Sequence, residues 1–145
     1  RREDRDDASR ALTEKGREKW RQAVAGLRAL GVRFDRLYHS PWTRAVETAD
    51  EAAKLLEGES VVTDALAAPP RQALLDELRG VSVAVVGHEP WLSQLVAWLT
   101  VGDAAAGDRF ELKKGAVVWL SGTPQPGKMT LKALFPPKVL RAAGG

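Results

Sequence analysis

The sequence predicts an α/β domain in three layers, α/β/α, around a mostly parallel central sheet, and three observations predict it. Short β-branched runs alternate with amphipathic stretches of helical length along the 145 residues, the pattern of strands joined by crossover helices. The run Val81 to Val86, VSVAVV, is almost free of polar side chains and has a strand's length, which suits a strand buried on both faces in the middle of a parallel sheet. Two strand-to-helix junctions, YHSPWTRA at 38–45 and VGHEPWLS at 86–93, resemble each other. They put polar groups at the C-terminal edge of the sheet, where open α/β sheets bind their ligands.

The elements follow in order. Arg1 to Arg10 alternates acid and base around one apolar residue, Ala8, and reads as a solvated loop. Thr13 has the hydroxyl of an N-cap and Glu14 the charge that suits a first turn. Trp20, Ala23, Val24, Leu27 and Leu30 then recur at helical spacing until Gly31 ends the helix. Phe34 to His39 is a short strand centred on Leu37 and Tyr38. Ser40 and Pro41 open a second helix, Ser40 as N-cap and Pro41 at the first helical position. Ala45, Val46, Ala49, Ala53 and Leu56 line one face of it, and Gly58 is its stop. Val61-Val62 is a weak strand, Pro69-Pro70 a break, and Arg71 to about Leu78 a helix that stops at Gly80. The Val81–Val86 strand comes next; Gly87 permits a sharp turn and Pro90 suits the first turn of a helix with the apolar stripe Trp91, Leu92, Leu95, Val96 and Leu99. That helix runs out near Gly102, and Asp103 to Asp108 reads as a loop of small residues. Ala116 to Leu120 and Met129 to Leu134 read as a hairpin at the sheet edge, joined by SGTPQPGK, and the FPPKVLRAAGG tail as proline-stiffened and then loose.

A hydrophobic content of 44% with 28% charged residues is ordinary for a soluble globular protein, and this length closes one core, so a single domain over residues 1–145 is expected. No stretch reaches the ~18 uninterrupted apolar residues of a membrane span, and no secretory apolar segment is visible. Without cysteine the chain has neither disulfide nor thiol chemistry, and cytoplasm is the default location, with no membrane partner. The net charge of +3 leans toward anionic partners, yet acids and bases are mixed along the chain, which argues for a solvated surface and against a nucleic-acid patch.

The chemistry concentrates at the two junctions. His88 is the first polar group off its strand and faces a helix N-terminus, where backbone N–H groups favour an anion. Arg44 falls in the opening turn of a helix, where the macrodipole opposes a cation. It either points at solvent or pairs with Glu47 or Glu51, or it reaches an anion held at the same sheet edge as His88. A planar guanidinium suits a phosphoryl group, which it grips with two parallel hydrogen bonds. Glu89 favours an imidazolium at His88 if the two side chains meet. His39 also ends a strand but reads as structural, and Trp42 and Trp91 read as core or pocket wall. There is no Gly-rich phosphate loop, no metal-ligand cluster with two histidines at useful spacing and no G-x-S-x-G elbow, so no metal or cofactor is expected.

Taken together, LTEKG (12–16), SPWTRAVETA (40–49), VGHEP (86–90), LKKGAVVWL (112–120) and FPPKVLR (135–141) resemble, in order and over nearly the whole chain, the histidine phosphatase superfamily. The resemblance is to its SixA-type phosphohistidine phosphatase branch, with the phosphoglycerate mutase-like fold. It implies phosphoryl transfer to a histidine without metal, giving a phosphohistidine intermediate that water hydrolyses, with the phosphoryl group clamped by cationic and hydrogen-bonding side chains. By position, Arg44 is similar to the clamp arginine of the S-P-x-x-R-A motif, and His88 to the histidine of the G-H motif that donates to phosphoryl oxygens. Arg10 and Asp7 resemble, more loosely, a charged pair near the pocket mouth. Ser40 lines the pocket in this reading, and Glu89 completes the candidate phosphate-binding set. The family's signature, a first strand at the sheet's centre ending in Arg-His-Gly or Arg-His-Ala whose histidine is the nucleophile, is not among these 145 residues. The resemblance places it just upstream of Arg1, and neither His39 nor His88 stands where it would.

The expectation is a phosphatase acting on a protein phosphohistidine or a small phosphomonoester, with inorganic phosphate or sulfate as ligands of the same pocket. The alternative is a non-catalytic phosphate- or phosphoprotein-binding module of the same fold, and a third reading is a scaffold in which Arg44 and His88 are incidental. The excursion between Glu57 and Arg79 is short, which leaves an open, shallow pocket that admits a protein-borne phosphohistidine and a small ester alike.

Overall fold

The computed structural model describes residues 7–145. Helix α1 (Glu14–Ala29) opens at Thr13, whose hydroxyl accepts from the Gly16 N–H at 2.9 Å, and closes where Gly31 turns left-handed at φ 82°, as the cap and stop residues predict. Strand β1 (Phe34–His39) leads through a corner into α2 (Thr43–Ala52), and β2 (Leu56–Val62) leads to α3 (Gln72–Glu77). Strand β3 (Val83–Val86) feeds α4 (Trp91–Val101), after which come β4 (Val117–Gly122), β5 (Met129–Phe135) and α5 (Pro137–Ala143). The solvated-loop expectation for Arg1 to Arg10 falls mostly outside the described residues; residues 7–9 are helical.

The first three strands form a parallel sheet in the order β2-β1-β3. Strand periodicity sends successive side chains to opposite faces, and both faces are covered. On one, Leu37, Ala84 and Val86 pack with Ala49 and Ala52 of α2 and Trp20 of α1. On the other, Tyr38, Val61, Val83 and Val85 pack with Leu74 and Leu75 of α3 and Leu95 and Leu99 of α4. The result is the three-layer α/β/α arrangement with a parallel sheet that the alternation of strands and helices predicts. The buried Tyr38 hydroxyl is satisfied at 3.0 Å on both sides, donating to the Glu77 carbonyl and accepting from the Arg79 N–H, which ties the end of α3 to the sheet.

Several expectations change. Strand β3 is shorter than Val81 to Val86 and, among the described strands, lies at the sheet's edge, with β1 central. The Asp35 carboxylate takes the N–H groups of Val81 (2.8 Å) and Ser82 (3.3 Å), holding the chain in a turn that leaves Val81 99% exposed. The Val86 carbonyl accepts from Ser40 N–H on the β1 side, so by alternation Val83 and Val85 turn their N–H and C=O groups to β3's other edge, which no described strand pairs. Gly58 does not stop α2. It lies inside β2, where a Cβ would sit 2.0 Å from the Asp35 carbonyl oxygen, so the glycine permits a close strand approach.

Residues Ala104–Arg109 form a 3-10 turn capped by Asp103, whose carboxylate accepts from the Ala105 N–H at 3.0 Å, where a loop was expected. Strands β4 and β5 pair antiparallel as a hairpin, but as their own two-stranded sheet; Leu120 and Met129 rest on the same apolar cluster as Val83 and Val85. The tail is not loose: Pro136 and Pro137 start helix α5, whose Leu140 is fully buried against Ala23, Val24 and Leu27 of α1. No helix among the described residues is long and apolar enough to cross a membrane.

Candidate functional site

Two corners converge at the C-terminal edge of the parallel sheet, one from β1 to α2 and the other from β3 to α4. In the first, Ser40 is fully buried but is not the N-cap of α2 as expected. The helix begins at Thr43 with Trp42 in the cap position, and the Ser40 hydroxyl accepts from the Trp42 N–H at 3.0 Å. Pro41 spaces the serine two residues before the cap. That frees its oxygen to meet His88 Nε2 at 2.8 Å, across 48 residues of sequence. His39 turns its Nδ1 to the Ser40 carbonyl at 2.9 Å.

In the second corner, His88 is 8% exposed, and its carbonyl accepts from the Leu92 N–H at 2.9 Å, which anchors it to the start of α4. Pro90 is the N-cap and not the first helical residue, and the Glu89–Pro90 peptide is cis. Glu89 does not meet His88. It accepts from the Ser93 hydroxyl at 2.5 Å, on the side of an open hollow of about 340 Å³ that Gln94, Asp108 and Phe110 also line. The condition for an imidazolium is therefore not met: burial and then the Arg44 charge push His88 down to about 4, against the smaller pull of Asp7, so the ring is neutral at pH 7. The cavity that touches His88 itself, walled by Leu66, Leu74 and Trp91, has about 10 Å³, room for no more than a water.

Arg44 leaves the first turn of α2 and donates through Nη1 to the Asp7 carbonyl (2.6 Å) and carboxylate (3.1 Å). The same carboxylate oxygen takes Arg10 Nη2 at 2.5 Å, so Arg10, Asp7 and Arg44 form one chain of alternating charge. Glu47, an alternative partner for Arg44, is engaged elsewhere. It accepts from the Leu12 N–H at 2.7 Å and from Arg17, and the Leu12 bond above all holds its carboxyl below the usual range.

Trp42 stands between the two corners. Its ring centroid is 4.3 Å from that of His88 at a 36° tilt, and the Arg44 guanidinium carbon lies over its ring at 5.6 Å. Trp91 meets both rings edge-on, at 5.8 Å from Trp42 and 6.2 Å from His88. Reading the sequence treats Trp42 as wall; the signal it carries is its place between Pro41 and Arg44 in the junction. The structure thus gathers Asp7, Arg10, Ser40, Arg44 and His88 around one edge and leaves Glu89 turned toward the neighbouring hollow. A half-buried guanidinium beside a neutral imidazole at a helix start can hold a tetrahedral oxyanion, with Asp7 the nearby opposite charge among the described residues. Among the described residues, no group of three or more His, Cys, Asp or Glu side chains is placed to hold a metal ion.

Residues 2–68 match the histidine phosphatase superfamily (branch 1). Over 61 residues the chain is 44% identical to the mitochondrial serine/threonine-protein phosphatase PGAM5 of Mus musculus; the match covers 41% of this chain and 21% of that protein, so the chain spans about a fifth of that relative's length. The protein histidine phosphatase SixA complexed with tungstate is similar in structure with a TM-score of 0.75 at 26% identity, over 92% of this chain and 88% of the other. The phosphoserine phosphatase of Entamoeba histolytica, in complex with 3-phosphoglyceric acid, shares the fold with a TM-score of 0.70 at 15% identity, over 90% and 86% of the two chains.

Proposed function

We propose, from the match of residues 2–68 to the histidine phosphatase superfamily and the likeness to SixA, that the chain is a SixA-type member of that superfamily, a phosphatase that works through a phosphohistidine intermediate without metal. Its substrate is a phosphohistidine carried on a protein, or a small phosphomonoester. The observation that carries this reading is that Arg44 and neutral His88, from two separate strand-to-helix corners, both pack on the indole of Trp42. Arg44 grips two phosphoryl oxygens through its planar fork, and His88 donates its one N–H to a third. Ser40 holds the imidazole in place, and Asp7 with Arg10 holds the guanidinium at the mouth.

The resemblance assigns the attacking nitrogen to neither of the two described histidines, of which His39 meets the Ser40 carbonyl through Nδ1 and His88 the Ser40 hydroxyl through Nε2. We place the nucleophile on a further strand running along β3's unpaired edge, whose C-terminal end would arrive beside His88. That histidine attacks phosphorus, the leaving oxygen or nitrogen departs with the bonding pair and takes a proton, and water then attacks the phosphoryl-imidazole to release phosphate. The pairing of Arg44 and His88 on one indole, with no nucleophile assigned among the described residues, favours a second reading, a module that binds phosphate without turnover. The two separate by experiment. Inorganic phosphate binding, followed by calorimetry, is expected in both and is expected to weaken at least about tenfold in Arg44→Ala; no binding by the wild type overturns both. An acid-labile phosphoenzyme and release of phosphate from a phosphohistidine protein, by the natural polypeptide, establish the enzyme, and binding without either establishes the module.

A further inference from the structure

We propose that Trp42 is a positioning residue of the anion site, its indole setting the distance between the Arg44 guanidinium and the His88 imidazole so that one oxyanion meets both. The inference rests on the reading of this edge as a phosphate site. As the N-cap of α2, Trp42 has an extended backbone (φ −64°, ψ 145°), which projects its side chain from the helix start across the corner. Its N–H is fixed on the Ser40 hydroxyl, and that same oxygen meets His88 Nε2, so Trp42 is tied to His88 through its backbone as well as through its ring.

An indole does two things here that an aliphatic side chain of similar bulk does not. Its π-face attracts the guanidinium lying 5.6 Å away, and it packs against the imidazole 4.3 Å away, with Trp91 bracing it edge-on. Without the ring, the contacts Arg44 keeps among the described residues are those with Asp7, which draw it toward the mouth, and His88 loses the cover of the Trp42 face. Among the described residues, the charged groups acting on His88 are Arg44 and Asp7; Glu89 is turned to Ser93, and His39 to the Ser40 carbonyl.

The test compares wild type, Trp42→Phe and Trp42→Leu by calorimetry with inorganic phosphate and by NMR titration of His88. Trp42→Phe is expected to bind phosphate within about threefold of wild type, and Trp42→Leu about tenfold more weakly, as fits loss of a desolvated cation–π contact. In Trp42→Leu the His88 titration is expected to move up toward 6.5, because its cover is gone. A Trp42 that merely fills space would lower stability while leaving both readings unchanged in the folded variant, and that result overturns the proposal. In the wild type, nuclear Overhauser contacts from the Trp42 indole to His88 and Arg44 are expected. Their absence overturns it even if Trp42→Leu does not fold. Failure of the wild type to bind phosphate sinks the function proposed above, while the His88 titration still decides the part played by Trp42.

Discussion

At His88, lost hydration and the repulsion of Arg44 together outweigh the attraction of Asp7, and the folded ring titrates near 4 instead of 6.5. Between those two values the unfolded chain carries a proton that the folded chain does not. Stability is therefore full above about 6.5 and falls as the pH drops toward about 4. Urea unfolding at pH 7, 5.5 and 4.5 is expected to show this slope, and His88→Asn to flatten it. Arg44 makes the complementary prediction, because what matters is the shape of its head group as well as its charge. Arg44→Lys keeps the charge but not the fork, and inorganic phosphate is expected to bind about tenfold more weakly, by calorimetry. Arg44 and His88 were both legible in the sequence, since each stands at a junction where strand pattern gives way to helix. The bond from Ser40 to His88 was not, because it spans 48 residues and depends on how two corners are set side by side.

Among the elements, α1 and β1 were legible to the residue: Thr13 caps the helix, Gly31 stops it, and Phe34 to His39 is the strand. Local chemistry decides these ends, and local chemistry is what a sequence displays. Helix α5 is the opposite case. Its two prolines read equally as the stiffener of a free tail or as the first turn of a helix, and the choice is made by Leu140 burying itself on α1. The contact is close: a Cβ on Gly26 would lie 1.8 Å from the Leu140 carbonyl oxygen, which is backbone and cannot turn aside. Gly26→Ala is expected to push α5 off α1 and to destabilise the protein by about 1–3 kcal/mol despite alanine's better helix propensity. Chemical denaturation followed by tryptophan fluorescence measures it, and an unchanged midpoint would mean that α5 does not dock as described.

At the scale of the molecule, the layers and the parallel pairing follow from alternating strands and helices, whereas the order β2-β1-β3 does not. Nothing in VSVAVV says which of its two edges finds a partner; a continuous apolar run reports buried faces, and β3 has those on both sides. Hydrogen exchange reads the difference directly. The Val83 and Val85 amides, turned away from β1, are expected to exchange much faster than those of Ala84 and Val86, and to become protected if a further strand seats there.

The β3 edge that no described strand pairs also bears on how the protein behaves in quantity. A valine-rich ribbon, if its outer donors and acceptors are left open, is a template on which any extended chain can lay itself down. In concentrated solution or during synthesis the nearest such chain is another copy, so whatever covers this edge also serves as the molecule's guard against clumping.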